Sequence, residues 1–259
     1  CWTAPSLLYL FGLTCCVENV ETFRGLTLDD FQQEAIQHIR NRESVVVSAA
    51  TGTGKTLIAD YMIDQYLRAG KEIIYTAPIK ALSNQKYNDF KERYGEDKVG
   101  ILTGDVTVNE DAPLRIMTTE IYRNMLLSQD PGLDDLSYVI FDEVHYLGDE
   151  HRGKVWEESF IFSPEHVRFL CLSATIPNAD EFASWISSIK EHDTYVVAEP
   201  ERAVPLHHLF YDGQRGFGDF QALEEWKERY EETPDYHLAN GDKDKYYQDL
   251  KHRERNVHI

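Results

Sequence analysis

A run of β-branched residues that leads directly into a glycine-bearing loop constrains this chain more than any other feature. The run is Val45-Val46-Val47. The loop that follows consists of Ala49, Ala50, Thr51, Gly52, Thr53, Gly54, Lys55 and Thr56. It departs from the pattern G-x-x-x-x-G-K-[ST] only at its first position, where alanine replaces glycine. Strand, loop and helix in this order predict a phosphate-binding loop, with a plain strand-turn-helix corner as the alternative.

The residue types in this loop suit the binding of a triphosphate. Gly52 and Gly54 lack the Cβ atoms that would keep the backbone from curling around an anion, so successive N–H groups can point inward. The helix that opens at Lys55 adds the positive end of its dipole. Lys55 is placed to reach the β- and γ-phosphates, and the hydroxyl of Thr56 is placed to ligate Mg²⁺. We therefore expect these eight residues to bind a nucleotide and its metal.

Two adjacent acids end a second apolar strand. Residues 138–141 read Tyr-Val-Ile-Phe, and Asp142 and Glu143 follow them. A parallel sheet places such a strand end at the same edge as the phosphate loop. Asp142 is expected to hold Mg²⁺ through a water molecule, and Glu143 to orient or deprotonate the attacking water. A solvated acidic turn is the alternative, and we assign that role to Asp134 and Asp135, which precede the strand.

The remaining pattern predicts an α/β fold. Short apolar runs alternate with helical patterns between residues 29 and 199, which implies a parallel sheet with helices on both faces. Asn178, followed three residues later by Glu181, resembles a capping box at the start of the last helix in this series. Ligands of such sheets bind at the carboxyl ends of the strands, where both motifs lie.

Composition argues against a membrane bundle and lowers the expectation of nucleic-acid binding. The mean hydropathy is -0.47 and the formal net charge is -19. Phosphate contacts need local positive charge, although a groove on an acidic protein can still be neutral or basic. The four cysteines show no zinc-ligand spacing, and we interpret them as reduced thiols of an intracellular, cytoplasmic protein. They are Cys1, Cys15, Cys16 and Cys171.

We divide the chain into three parts. Residues 1–22 form an apolar segment that is too short to span a membrane, and that either continues something upstream or is a buried N-terminal piece. Residues 23–212 form the nucleotide-binding domain. Residues 213–259 are rich in charge and form a linker, charged helices or the start of an insertion.

Seven stretches, taken in order, resemble the superfamily-two DExH-type helicases, and within them the superkiller-like group of exosome-associated RNA helicases. The matching stretches are residues 31–32, 49–56, 77–86, 103–105, 117–120, 142–145 and 172–175. The resemblance covers residues 23–211 and implies a RecA-like P-loop NTPase domain that uses ATP and Mg²⁺. It also implies single-stranded RNA as the partner, with DNA as the alternative, and association with an RNA-decay complex.

The resemblance implies roles for further residues. Gln32 would read the adenine edge through its amide, which can both donate and accept. Phe23 would stack on the base or belong to the core. Lys55, Asp142 and Glu143 would be catalytic. Three residues would couple the nucleotide state to strand separation: His145, Ser173 and Thr175. A structural histidine and simple strand-end caps are the alternatives for these three.

The same resemblance implies a surface for the sugar-phosphate backbone of a single strand. Hydroxyls, backbone amides and one lysine suit contacts that do not depend on base sequence. The residues implied are Pro78, Lys80, Thr103, Gly104, Thr118 and Thr119. Thr118 and Thr119 also lie where a helix cap is expected, which is their alternative role.

The chain departs from this family in lacking a second RecA-like domain, which would supply arginine fingers. We therefore expect a first-domain fragment that binds ATP weakly, hydrolyses it slowly and unwinds nothing on its own. One rival interpretation is a P-loop kinase or GTPase, but the Ser-Ala-Thr segment at residues 173–175 then has no explanation. A non-catalytic ATP-dependent scaffold is the other, and the intact Lys55, Asp142 and Glu143 argue against it.

Overall fold

The computed structural model describes residues 22–149, 152–202, 204, 209–212 and 216–231. The expectations for residues 1–21, including Cys1, Cys15 and Cys16, and for residues 232–259 lie outside these ranges. The chain forms two compact units, Cys1–Val204 and Pro205–Ile259. The division into 1–22, 23–212 and 213–259 stays a prediction.

The first unit alternates strands and helices. Its strands are β1 (Thr22–Phe23), β2 (Leu26–Thr27), β3 (Ser44–Ala49), β4 (Glu72–Ala77), β5 (Val99–Leu102), β6 (Thr107–Val108), β7 (Leu114–Thr118), β8 (Leu136–Phe141), β9 (Arg168–Ser173) and β10 (Thr194–Glu199). Its helices are α1 (Asp30–Arg40), α2 (Lys55–Arg68), α3 (Lys80–Tyr94), α4 (Thr119–Leu127), α5 (Gly153–Phe162) and α6 (Ala179–Ile189). Two 3₁₀ helices lie at Pro131–Leu133 and Val144–Gly148.

Eight of these strands form one sheet in the order β10-β3-β9-β8-β4-β7-β5-β6. All neighbours are parallel except β5 and β6, which are antiparallel. The predicted α/β fold with a parallel sheet is therefore confirmed. The order places β3, β9 and β8 side by side, so the strands that lead into the phosphate loop, the Ser-Ala-Thr segment and the two acids are neighbours.

Alternation along the strands builds two cores, one on each face of the sheet. Val45 and Val47 of β3 pack into the core that α1, α2 and α3 cover, whereas Val46 packs into the core that α4, α5 and α6 cover. Successive residues of a strand point to opposite faces, and a strand buried on both faces therefore consists mostly of apolar residues. The predicted helices on both faces of the sheet are confirmed.

The expected capping box at Asn178 is wrong. Asn178 precedes α6 but its side chain makes no capping hydrogen bond, because its backbone, at φ -114° and ψ 34°, does not adopt the extended conformation of such a cap. Helix α5 was not predicted, although Trp156 and Phe160 lie four residues apart and are both buried. The elements predicted on either side of this region agree with the structure to within about two residues.

The second unit, where described, contains a hairpin and a helix. The hairpin pairs β11 (Phe210–Asp212) with β12 (Gly216–Gly218), and α7 (Phe220–Glu231) follows. The rings of Phe210 and Phe220 meet edge to face, with centroids 4.9 Å apart. In the described part of the chain, no helix is both long and apolar enough to cross a membrane.

Candidate functional site

The phosphate loop runs from the buried end of β3 to the first turn of α2. Gly52 and Gly54 have φ values of +88° and +85°, which only glycine adopts without strain. Gly54 is also crowded, because a Cβ atom there would lie 2.7 Å from Nε2 of Gln32. The backbone thus favours glycine at both predicted positions, and a side chain at Gly54 would also displace the amide of Gln32.

Hydrogen bonds within the loop hold its shape. The Thr53 hydroxyl donates to the Ala50 carbonyl over 2.7 Å, and the Lys55 ammonium donates to the carbonyls of Ala49 and Ala50 over 2.6 and 2.9 Å. Burial lowers the pKa of Lys55, although the carboxylates of Glu143 and Asp142 act in the opposite direction. The lysine is therefore partly desolvated and lies within electrostatic reach of both acids.

Gln32 connects α1 to the phosphate loop. Its Nε2 donates to the carbonyls of Thr53 and Gly54 over 3.3 and 3.2 Å, and its Oε1 accepts from the amide of Asp29 over 3.0 Å. The side chain is buried, so in this structure its amide holds the loop. The contact with adenine stays a prediction. Phe23 packs edge to face on Tyr61 at a centroid distance of 5.3 Å, in agreement with the core alternative.

The two acids follow β8 directly, as predicted. Asp142 accepts a hydrogen bond at Oδ2 from the Tyr75 hydroxyl over 2.5 Å. Glu143 has a left-handed backbone with φ +58°, which costs energy in a residue other than glycine and is often found at functional sites. Oε2 of Glu143 lies 3.3 Å from Nδ1 of His145, so the histidine adjoins the predicted catalytic acid. Asp134 and Asp135 are exposed, as expected of a solvated turn.

Tyr75 is a residue of this site that the sequence analysis missed. It lies on β4, next to β8, and is fully buried. Burial, and next the negative charge of Asp142, raise the pKa of Tyr75 well above its ordinary value, so the phenol keeps its proton and is the donor. The only signal in the sequence is a tyrosine within a short, largely buried strand.

The segment after β9 adjoins the phosphate-loop strand. Ser173 is buried, and its Oγ has no hydrogen-bond partner among the described residues, whereas Thr175 is exposed. Ser48 of β3 accepts a hydrogen bond from the amide of Ile176 over 3.1 Å. This bond ties the strand that leads into the loop to the Ser-Ala-Thr segment. Ser48 was also missed, since its partner lies on a distant segment of the chain.

The residues predicted to contact nucleic acid follow three neighbouring strands. Ala77 pairs with Thr118, and Leu102 pairs with Met117, so β4, β7 and β5 end together. Pro78 is buried and its carbonyl accepts from Nη1 of Arg152 over 3.2 Å. The structure thus brings the predicted residues on these strand ends to one edge of the sheet.

Some side chains of this group are already engaged in hydrogen bonds or ion pairs with other described residues, whereas others are not. The Lys80 ammonium pairs with Asp105 and lies next to the exposed Gly104. The Thr103 hydroxyl is engaged with the carbonyl and the amide of Val106, at 3.3 and 3.2 Å, which shapes the loop. Thr118 precedes α4 without a side-chain capping bond, and the buried Thr119 Oγ1 has no partner in the described part of the chain. The side-chain cap proposed as the alternative for Thr118 is therefore not formed.

Comparison with known proteins identifies the family. A family model described as DEAD/DEAH box helicase matches residues 29–182, which contain the phosphate loop, both acids and the Ser-Ala-Thr segment. The chain belongs to the DEAD/DEAH box helicase family.

The chain is also similar to individual helicases. It is 51% identical to antiviral helicase SKI2 of Saccharomyces cerevisiae over 69% of this chain and 14% of that protein. It is 50% identical to the human superkiller complex protein 2, over 71% and 15%, and 49% identical to the ATP-dependent RNA helicase mtr4 of Schizosaccharomyces pombe, over 73% and 17%. The chain thus spans well under a quarter of the length of these relatives. The predicted likeness to the superkiller group is confirmed.

Solved helicase structures share the fold. The structure of Mycobacterium smegmatis helicase Lhr bound to ssDNA and AMP-PNP matches with a TM-score of 0.54 at 26% identity, over 66% of this chain and 25% of that one. DUF1998 helicase MrfA bound to DNA matches with a TM-score of 0.57 at 22% identity, over 68% and 28%. These matches confirm the predicted RecA-like α/β domain.

Proposed function

We propose that this chain is the ATP-binding first RecA-like domain of an ATP-dependent RNA helicase, within residues 23–212. The observation that carries this proposal is the order β3-β9-β8 in the sheet. It brings the phosphate loop, the Ser-Ala-Thr segment and the Asp142–Glu143 pair to adjoining strand ends. Such strand ends are where α/β sheets bind their ligands.

The loop residues have the chemistry to hold ATP. The amides that follow Gly52 and Gly54, and the start of α2, favour the negative phosphates, and Lys55 neutralises the β- and γ-phosphates. Gln32 holds the loop from α1 and is proposed to contact adenine. The Thr56 hydroxyl and the Asp142 carboxylate are hard oxygen donors of the kind that Mg²⁺ prefers, and Mg²⁺ is usually held by one or two carboxylates together with substrate phosphates. When bound, the ion would neutralise charge on the phosphates.

Glu143 is proposed to be the general base. It would accept a proton from the water that attacks the γ-phosphorus, and its left-handed backbone would fix its carboxylate for this task. His145, Ser173 and Thr175 are proposed to couple hydrolysis to movement along the strand. His145 lies 3.3 Å from Glu143, which supports its part in this coupling.

The proposed nucleic-acid surface consists of Pro78, Lys80, Thr103, Gly104, Thr118 and Thr119. Single-stranded RNA is favoured over DNA because the chain is 49% identical to the RNA helicase mtr4. The helicases Lhr and MrfA, which were solved with DNA, are only 26% and 22% identical. Backbone amides and hydroxyls can make such contacts without a basic surface, so the net charge of -19 is compatible with the proposal. An RNA-decay complex and a second RecA-like domain are the proposed partners, in an intracellular, cytoplasmic setting.

An ATPase assay tests this function. It uses the natural protein that contains this chain, with single-stranded RNA and single-stranded DNA of the same sequence side by side. We expect hydrolysis that RNA stimulates more than DNA does, and that Glu143→Gln abolishes. Stronger stimulation by DNA would favour a DNA-unwinding helicase instead. Hydrolysis that neither strand stimulates would favour another type of P-loop NTPase. ATP binding without hydrolysis would favour a non-catalytic scaffold.

A further inference from the structure

Tyr75 and Asp142 form a contact that links the core of the sheet to the proposed metal site. The Tyr75 hydroxyl donates to Oδ2 of Asp142 over 2.5 Å. Among the described residues, Tyr75 is the only side chain seen to donate to this carboxylate. A hydrogen bond from a fixed neutral donor orients a carboxylate and leaves its second oxygen for another ligand.

The phenol ring of Tyr75 is itself held in place. It is fully buried on β4 and meets the ring of Phe90 on α3 edge to face, with centroids 5.6 Å apart. The Lys86 ammonium lies 5.5 Å from the centroid of the Tyr75 ring. A donor packed in this way loses little conformational entropy when it forms its hydrogen bond, because its rotamer is already fixed.

The backbone reinforces the same arrangement. The amide of Asp142 donates to the carbonyl of Thr76, the residue after Tyr75, over 3.1 Å. Tyr75 pairs with Ile140 in the β4–β8 register, so the hydroxyl projects beyond its own pair toward the end of β8. Both the main chain and the side chain of Asp142 are therefore fixed by β4.

We propose that Tyr75 is a positioning residue for the divalent cation, which it serves by holding the Asp142 carboxylate so that Oδ1 faces the ion or its water. The proposal rests on the proposed function, since it assumes that Asp142 binds the cation that accompanies ATP. It adds a residue outside the motifs that contain the loop and the acids.

The test measures cation-dependent nucleotide binding by the 259-residue chain. The affinity of a fluorescent ATP analogue is measured in EDTA and in saturating Mg²⁺, and Mn²⁺ binding in the presence of AMP-PNP is followed by electron paramagnetic resonance. Loss of an outer hydrogen bond to a metal ligand typically weakens metal binding by about 10- to 100-fold. We expect Tyr75→Phe to weaken Mn²⁺ binding by about 10-fold while the affinity in EDTA stays unchanged.

Tyr122→Phe is the matched control. Tyr122 is also fully buried, but its hydroxyl contacts Ser163 and not the site, so this variant should bind Mn²⁺ like the wild type. In the double variant Tyr75→Phe with Asp142→Asn, no further loss beyond Asp142→Asn is expected, because Tyr75 acts through that carboxylate.

The outcomes separate this proposal from the proposed function. If the wild type has the same affinity for the nucleotide in EDTA and in saturating Mg²⁺, the proposed function fails. If the wild type depends on the cation and Tyr75→Phe keeps the full effect, the positioning role is overturned.

If Tyr75→Phe does not fold, the positioning role can still be tested on the wild-type chain. The hydroxyl proton of Tyr75 can then be followed by NMR with labelled tyrosine. A shift when Mg²⁺ joins the nucleotide supports the proposal, and an unmoved signal overturns it.

Discussion

Ser48 and Ile176 are joined by a 3.1 Å hydrogen bond from the amide of Ile176 to the serine hydroxyl. Ser48 lies on the strand that leads into the phosphate loop, and Ile176 follows the Ser-Ala-Thr segment. Two sequence motifs that are far apart along the chain are thereby held in contact at the end of the sheet.

Ser48→Ala should destabilise the fold, because it leaves the amide of Ile176 without this acceptor. A lost hydrogen bond of this kind costs about 1–2 kcal/mol in the free energy of unfolding, which urea denaturation measures. Ser159→Ala is the matched control, since the buried Ser159 hydroxyl only adds a second donor to a helical carbonyl, that of Val155. A smaller loss for Ser48→Ala than for Ser159→Ala would contradict this account.

Glu143→Gln should leave nucleotide binding largely intact. It should lower the rate of hydrolysis by about 10²- to 10⁴-fold, which is the usual contribution of a general base. Phosphate release and binding of the fluorescent ATP analogue measure the two effects in the natural protein. Asp135→Asn changes an exposed acid before the same strand and should alter neither. A large loss of affinity in Glu143→Gln would show that the water-activating role is wrong.

Gly54→Ala should cost more stability than Gly70→Ala. Both glycines have positive φ values, +85° and +65°, so alanine is strained at either position by about 1 kcal/mol. Only at Gly54 would the new Cβ meet another group, Nε2 of Gln32 at 2.7 Å. Thermal unfolding measures the difference, and we also expect weaker nucleotide binding for Gly54→Ala alone. Equal losses of stability would mean that Gln32 moves aside without cost.

Lys80→Ala should weaken single-strand binding for all sequences alike. A lost phosphate contact also lowers the slope of log affinity against log salt by about 1, which a salt titration of binding to the natural protein measures. Lys91→Ala is the control, because Lys91 pairs with Glu96 at the other end of the same helix. An unchanged salt slope for Lys80→Ala would remove this lysine from the proposed surface.

Stability should fall below neutral pH because of His192. Burial, with the nearby charge of Arg168, lowers the pKa of His192 from 6.5 to about 4, and Ser44 Oγ lies 2.8 Å from its Nε2. The unfolded chain therefore takes up a proton before the folded chain does. This contribution is complete above pH 6.5 and is lost as the pH falls toward 4.

Urea denaturation at several pH values measures this dependence. His192→Gln should flatten the decline between pH 6.5 and pH 4. His166→Gln is the control for replacing a histidine, since His166 is exposed. If His192→Gln keeps the wild-type decline, its source lies in other groups.

Much of the fold followed from local pattern, because β3 and β8 are mostly apolar and several of the helices between strands have an apolar stripe. Helix α5 escaped prediction, although Trp156 and Phe160 show the spacing of a buried helical face. Asn178 misled, because a residue type suited to capping acts only when its backbone is extended.

The site divides in the same way. The phosphate loop is one continuous stretch of sequence and the pair of acids is another, so the chemistry of each could be predicted from its residue types alone. Tyr75 and Ser48 could not be assigned, because their roles depend on which strands are neighbours. The pairing of Tyr75 with Ile140 is set by the order of the sheet, and nothing local to either strand specifies it.

The position of β3 has a consequence for the synthesis of this protein. Both sheet neighbours of β3, β9 and β10, are made after it. A nascent chain that has emerged only as far as Phe162 therefore contains the whole phosphate loop but neither strand that flanks it. Contacts between segments so distant in sequence must overcome the entropy of closing long loops. We therefore expect the phosphate loop to reach its folded position late, near the end of translation of the first unit.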